Sequence, residues 1–371
     1  MKLINYLRKE PLTILLLALP MAILAHYTGW GDLWVFIFSS VGVIPMAGYI
    51  GEATESLAVY TGPRIGGLLN ATLGNAAELI ITIVAIREGL LDLVKASITG
   101  SILGNLLLVL GMSMVIGGLR NGMQTFERRQ ASRNAILLAL AIVALLIPSL
   151  LSNSIGEEGS LEVEALSLGV AGVMIILYAL GIIFSFKAEN GPLGPVTTGE
   201  IERPETGERK AIKGHQTGWS VRTSLIVLGI STAGVAYLSE LLVGAVEPVV
   251  ISLGVSEFFL GVILIPIVGN VAEHLVAVKV AIENHMDLSV EIAIASSLQI
   301  ALFVAPVLVF ISLLLGNPLT LIFNEFELLA LVAGVLIAAL VSADGESNWL
   351  EGAELLAVYL ILGLAFFLLP A

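Results

Sequence analysis

The 371-residue chain contains no cysteine. Disulfides, thiolate zinc sites, Cys-ligated iron–sulfur clusters and thiol nucleophiles are therefore excluded. Histidine is nearly as scarce, with four in all and no H-E-x-x-H pair. Charge is scarce too. Asp, Glu, Lys and Arg make up 13 % of the residues, about half the share found in soluble domains. Only 17 residues are basic against 30 acidic ones, a net charge of −13, which excludes a nucleic-acid-binding surface. With 57 % hydrophobic residues, the chain is neither disordered nor able to cover itself with polar groups. What is left is a polytopic protein whose partner is the lipid bilayer.

A bilayer core about 30 Å thick takes about 20 apolar residues in a helix. The hydropathy predicts an all-α integral membrane protein of about eleven transmembrane helices, over 11–27, 33–51, 65–86, 97–118, 134–151, 164–186, 221–243, 258–282, 288–315, 319–342 and 351–370. The first follows Lys2, Arg8 and Lys9, has no small-residue cleavage site after it, and reads as a retained helix. With the N-terminus in the cytoplasm, fifteen of the 17 Lys and Arg fall on the cytoplasmic side, leaving Arg87 and Lys95 outside. Trp30, Trp34, Trp219 and Trp349 stand at span edges as an interfacial belt. The polar run 187–220, which holds Pro192, Pro195 and Pro204, reads as a cytoplasmic linker. Residues 1–30 are then an extra N-terminal helix, and 31–186 and 221–371 are two five-helix units.

Those units repeat. Gly74-Asn75-Ala76-Ala77-Glu78 in the third span returns as Gly269-Asn270-Val271-Ala272-Glu273 in the eighth, 195 positions on. At that fixed offset, 11 of the 36 positions from Gly74 to Val109 are identical. The polar identities carry the signal: Asn75/Asn270, Glu78/Glu273, Glu88/Glu283, Asp92/Asp287 and Ser101/Ser296. Five spans separate the copies, so they cross the membrane in opposite directions. Such 1 + 5 + 5 inverted repeats occur in secondary transporters, with the site near the midplane.

Glu78 and Glu273 fall near the middle of their spans. A charged side chain there costs at least about 2.5–3.5 kcal/mol, so it faces the bundle interior or a wet cavity. Asn75 and Asn270 precede them by three positions and share their helix faces. The adjacent glycines permit close helix approach and a local opening of the backbone ladder. Ser97, Ser101 and Asn105 in the fourth span, and Ser296, Ser297 and Gln299 in the ninth, add oxygens at similar depth. Two carboxylates among amide and hydroxyl oxygens suit a hard divalent cation, calcium better than magnesium. Without a cation, neighbouring carboxylates in low dielectric do not both stay ionised and take up protons instead. Calcium and about two protons become alternative occupants, which is the requirement for antiport. Glu52 and Glu55, at the cytoplasmic end of the second span, and Glu240 in the seventh, line vestibules or simply end helices. Glu88, Asp92, Glu283 and Asp287 read as caps and solvated charges, and Glu157, Glu158, Glu162 and Glu164 as a solvated acidic loop.

The G-N-A-A-E-L and G-N-V-A-E-H runs resemble the paired signatures of the calcium/proton exchanger (CAX) family, within the calcium/cation antiporter superfamily. Ser101–Gly111 and Ala295–Leu302 resemble its second signatures. The resemblance implies an eleven-helix Ca²⁺/H⁺ antiporter without a cofactor and without enzymatic activity. Glu78 and Glu273 would bind the ion, assisted by Asn75, Asn270, Ser101, Ser296 and Gln299. The mobile gating pair would be the second and seventh spans, carrying Glu52 and Glu240. Sodium/calcium exchangers typically have Pro before the motif Glu. Ala77 and Ala272 stand here, which favours proton coupling over the sodium-coupled alternative. A membrane-embedded metal enzyme lacks its His/Asp clusters, and a passive channel needs no inverted pair of titratable sites. A homo-oligomer is not predicted. The compact loops point to a prokaryotic plasma membrane.

Overall fold

The computed structural model describes residues 11–156, 159–187 and 219–369. Lys2, Arg8, Lys9, Glu157, Glu158, His215 and nearly all of the 187–220 linker lie outside them.

The chain is nearly all helix. A 3-10 turn, Pro11–Leu17, leads into α1, Ala18–Thr28. Then come α2 (Asp32–Leu73), α3 (Ala76–Arg87), α4 (Leu91–Asn121), α5 (Arg128–Ile155) and α6 (Leu161–Lys187). The second half holds α7 (Val221–Gly244), short α8 (Val246–Leu253), α9 (Glu257–Ile282), α10 (Met286–Leu315), α11 (Glu325–Val341) and α12 (Trp349–Phe367). Eight described helices are long and apolar enough to cross a membrane. The remaining predicted spans are shorter helices, for physical reasons. The span expected over 65–86 is divided, because Gly74 and Asn75 form a turn between the end of α2 and α3. The span expected to end at 51 instead runs on to Gly62, whose φ of 80° no branched residue adopts comfortably. The tenth begins at Glu325 rather than 319, since Asn324 and Glu327 form a capping box there.

The stretch before α11 is buried and irregular. Its backbone is satisfied by serines from other helices: Ser312 Oγ accepts from Leu319 N at 2.7 Å, Ser167 Oγ from Leu321 N at 3.0 Å, and Ser149 Oγ from Phe323 N at 2.9 Å. Buried backbone outside helices persists only where such partners satisfy it.

The halves meet in an antiparallel register. On α2 and α7, Gly42 faces Leu238 and Gly234 faces Met46. As the number rises on one helix it falls on the other, which is the order of two helices running in opposite directions. Tight crossings elsewhere also use glycine. Gly100 of α4 packs on the Val262 carbonyl of α9, and Gly111 of α4 meets Gly352 of α12. A two-stranded ribbon pairs Gln124–Thr125 (β1) with Glu346–Ser347 (β2), tying the turn after α4 to the turn before α12.

Each half also caps the other. Asn121 Nδ2, at the end of α4, donates to Ala281 O (3.1 Å) and Ile282 O (3.2 Å) at the end of α9. Asn317 Nδ2, just after α10, donates to Ile86 O (2.8 Å) and Arg87 O (3.3 Å) at the end of α3. Asn121→Ala and Asn317→Ala are expected to destabilise the fold by about 1 kcal/mol each, read as a lower melting temperature of the purified protein.

Candidate functional site

The Gly74–Asn75 turn that leads into α3 and the motif of α9 cross at their glycines. A Cβ built on Gly269 would stand 3.2 Å from Glu78 Oε1, and one built on Gly74 would stand 3.5 Å from Glu273 Oε1. Each carboxylate thus lies over the glycine of the other repeat. The register is again antiparallel, Gly74 with Glu273 and Glu78 with Gly269. Any larger residue at 269 would press directly on Glu78. The glycines of the motif therefore give each acid room beside the other motif.

The polar residues predicted from the repeat come together here. Asn75 Nδ2 donates to Gln299 Oε1 on α10 at 2.7 Å, and Asn270 Nδ2 donates to Ser101 Oγ on α4 at 3.3 Å. Both contacts join one repeat to the other. Ser296 Oγ donates to Glu273 Oε2 at 2.7 Å. Asn75, Glu78, Asn270, Ser101 and Ser296 are buried, while Glu273 and Gln299 are half-buried. Two buried oxygens, Asn75 Oδ1 and Glu78 Oε1, have no hydrogen-bond donor. An acceptor left bare in a low-dielectric interior is costly, and a cation is the group that satisfies several such acceptors at once. Gly48 of α2 packs near the Ala272 methyl, so α2 lies across the same motif.

The backbone differs from the expected symmetric opening. In the first repeat the helix breaks at Gly74–Asn75, and Asn75 takes φ −98° and ψ 27°. In the second the motif lies inside an unbroken helix, and the distortion moves to a π-turn over Leu260–Leu264. Pro266, which has no N–H to continue the ladder, follows that turn at once. Two further π-turns come at matching places, Gly104–Val109 in α4 and Ile300–Val304 in α10, directly beyond Ser101 and Gln299. Such turns gather at functional sites.

Glu240 does not join this group. Glu52 sits within α2, not at its end, because the helix continues to Gly62. Glu240 is half-exposed and paired with Arg87 Nη1 at 3.1 Å, linking the ends of α7 and α3. Arg87 also holds Glu88 at 3.2 Å. Asp92, read as a solvated cap, is exposed but bonded to Lys95 Nζ at 2.9 Å. Lys95, expected as an outer-loop charge, is buried. Thr99 Oγ1 of α4 reaches buried Glu327 of α11 at 3.4 Å. The sequence hints at this second polar group were the Asp92/Lys95 spacing and the Asn324-x-x-Glu327 capping pattern.

A family model described as Sodium/calcium exchanger protein matches residues 31–187 and 223–368. The chain belongs to that family. The match takes in Asn75, Glu78, Ser101, Asn270, Glu273, Ser296 and Gln299 and leaves out 1–30, 188–222 and 369–371. A Ca(2+)/H(+) antiporter of Aphanothece halophytica is 46 % identical over 365 residues, 96 % of each chain. The Ca(2+)/H(+) antiporter ChaA of Bacillus subtilis (strain 168) is 45 % identical over 351 residues, 94 % of this chain and 96 % of that one. The solved structure of native YfkE is similar with a TM-score of 0.82 and 42 % identity, over 96 % of this chain and 100 % of that one. This member of the sodium/calcium exchanger family is a multi-pass membrane transporter.

Proposed function

We propose that the protein exchanges calcium for protons at the α3–α9 crossing. The observation that carries this is the pair of carboxylates, each packed on the other repeat's motif glycine, with the bare oxygens of Asn75 and Glu78 beside them. Glu78 and Glu273 supply two negative charges. Asn75, Asn270, Ser101, Ser296 and Gln299 orient them or complete an all-oxygen shell, the donor set that calcium takes. When the ion leaves, protons neutralise the carboxylates, so the empty site crosses the membrane without a bare charge. Calcium and protons are the substrates, and no cofactor takes part. The names of the A. halophytica and B. subtilis relatives support the coupling ion. The excess of Lys and Arg on one side supports a cytoplasmic N-terminus, with the protein in a prokaryotic plasma membrane. The two units, 31–186 and 221–371, form an inverted pair around the site, and α2 and α7 move across it to expose it to each side in turn.

The test uses purified protein in liposomes, acidic inside and free of sodium. ⁴⁵Ca²⁺ is expected to enter, and a protonophore that dissipates the gradient is expected to stop it. Entry only after sodium is loaded inside would assign the protein to sodium coupling instead. Entry under neither gradient, with the protein folded, would overturn the calcium reading.

A further inference from the structure

The end of α3 carries an ion pair that the repeat does not copy. Arg87 Nη1 donates to Glu240 Oε1 of α7 at 3.1 Å, while its Nε and Nη2 both donate to Glu88 Oε1 at 3.2 Å. The guanidinium is thus steadied by its own neighbour and presents its remaining edge to α7. At the 195-residue offset the counterpart of Glu88 is Glu283, but the counterpart of Arg87 is Ile282. Glu240 stands three positions after Tyr237, as Glu52 stands three after Tyr49. The opposite face of the protein therefore keeps the acids and has an apolar side chain in place of the base. An inverted repeat treats its two faces alike, and this pair breaks the equivalence.

The two helices it joins are held differently. α3 is anchored to the opposite repeat, because Asn317 Nδ2 clamps the Ile86 and Arg87 carbonyls. Asn121 clamps the end of α9 in the same way, so both ends belong to the fixed frame. α7 goes instead with α2. Gly42 and Gly234 bring those two helices together, and Tyr60 Oη of α2 donates to the Trp219 carbonyl just before α7 at 2.9 Å. α7 also packs along α3. From Glu78 to Arg87, α3 rises about 13 Å, and this stretch separates the carboxylates from the face that carries Arg87. Opening the site to that face along α3 requires α7 to part from it, and parting breaks the Arg87–Glu240 pair.

We propose that the Arg87–Glu240 pair is a latch, which holds α2 and α7 closed over one face of the site and sets the resting protein to face the other. In the proposed orientation the latched face is outside, so the resting site faces the cytoplasm. The inference rests on the proposed movement of α2 and α7, not on which ion is carried. Both side chains are about half exposed. An ion pair in water holds weakly, which suits a latch that opens in every cycle, and salt screens it. Removing either charge shifts the balance between the two faces by about 2- to 5-fold.

The chain has no cysteine, so a single introduced thiol reports alone. Half-buried Ile83 lies one turn below Arg87 on the same side of α3, and its repeat counterpart on α9 is half-buried Val278. The experiment measures how fast a water-soluble maleimide labels Ile83→Cys or Val278→Cys in purified, calcium-free protein. Adding Arg87→Gln or Glu240→Gln should speed labelling of Ile83→Cys about 2- to 5-fold without speeding that of Val278→Cys. Reversing the pair with Arg87→Glu and Glu240→Arg together should restore the original rates, and 1 M salt should erase the difference between the variants and the unsubstituted pair. Monodispersity on size exclusion checks each fold, and the reversed pair keeps the test decisive if a single variant misfolds. Faster labelling at both thiols would mean general loosening, and unchanged labelling would mean that the pair holds nothing closed; either overturns the latch. Exchange of ⁴⁵Ca²⁺ by the same protein in liposomes separates the two readings. Exchange with labelling that ignores the pair would leave the proposed function standing without the latch. Labelling that follows the pair in a protein that exchanges no calcium would do the reverse.

Discussion

Glu78→Gln and Glu273→Gln are each expected to abolish calcium/proton exchange while leaving the protein folded. Glutamine keeps the volume of the side chain and one carbonyl oxygen. It removes the negative charge that calcium needs and the group that takes up a proton. The fold has little to lose, because among the described residues neither carboxylate is ion-paired with a base, and glutamine removes the cost of a charge at membrane depth. The crossing also keeps its shape, since Gly269 and Gly74 meet the same side-chain volume. Exchange of ⁴⁵Ca²⁺ in liposomes, set beside the melting temperature of each variant, measures both halves of the expectation. Wild-type transport by either variant would refute the shared-carboxylate mechanism.

The second large effect is on pH. If one calcium displaces two protons, linkage fixes the slope of log Kd against pH at −2 wherever both carboxylates are protonated in the ion-free protein. The sign is that acid weakens binding, by about 100-fold per pH unit on that limb. Where both are ionised without the ion, the slope falls to zero. Calcium titrations of purified protein at a series of pH values measure it. A slope never steeper than −1 would mean that only one carboxylate exchanges its proton. Two protons for one calcium move no net charge, so imposing 100 mV across the liposome should leave the rate unchanged. A net charge would add about 2.3 kcal/mol per elementary charge to the driving force.

The central site was readable because duplication printed it twice. Gly74, Asn75 and Glu78 recur at one offset, and helical spacing puts the Asn and Glu of each copy on one face. Ser101 and Gln299 were readable as oxygens at similar depth, but their pairing with the Asn of the opposite repeat was not. The break at Gly74–Asn75 without a matching break at Gly269–Asn270 was not readable, since the two motifs are alike and the difference lies in how neighbouring helices pack. Periodicity also hides the π-turns, because one inserted residue shifts a face without changing composition. The Arg87–Glu240 pair joins residues 153 positions apart, and nothing local marks it. The i,i+3 spacing allows Lys95 to pair with Asp92, but it does not show that Lys95 is buried, when a basic residue near a loop ordinarily points to water.

The exchange of glycines at the α3–α9 crossing bears on how such a protein arose. Glu78 needs Gly269, and Glu273 needs Gly74. Neither half therefore contains a finished site, only half of its acids and the clearance for the other half's acid. A chain of half this length could have built the same constellation only by meeting an identical copy inserted upside down. Its membrane orientation would have had to be undecided, with both topologies made from one gene. Fusion of two such copies would fix one orientation for each half, and a substitution at the glycine of either motif would act on the carboxylate of the other.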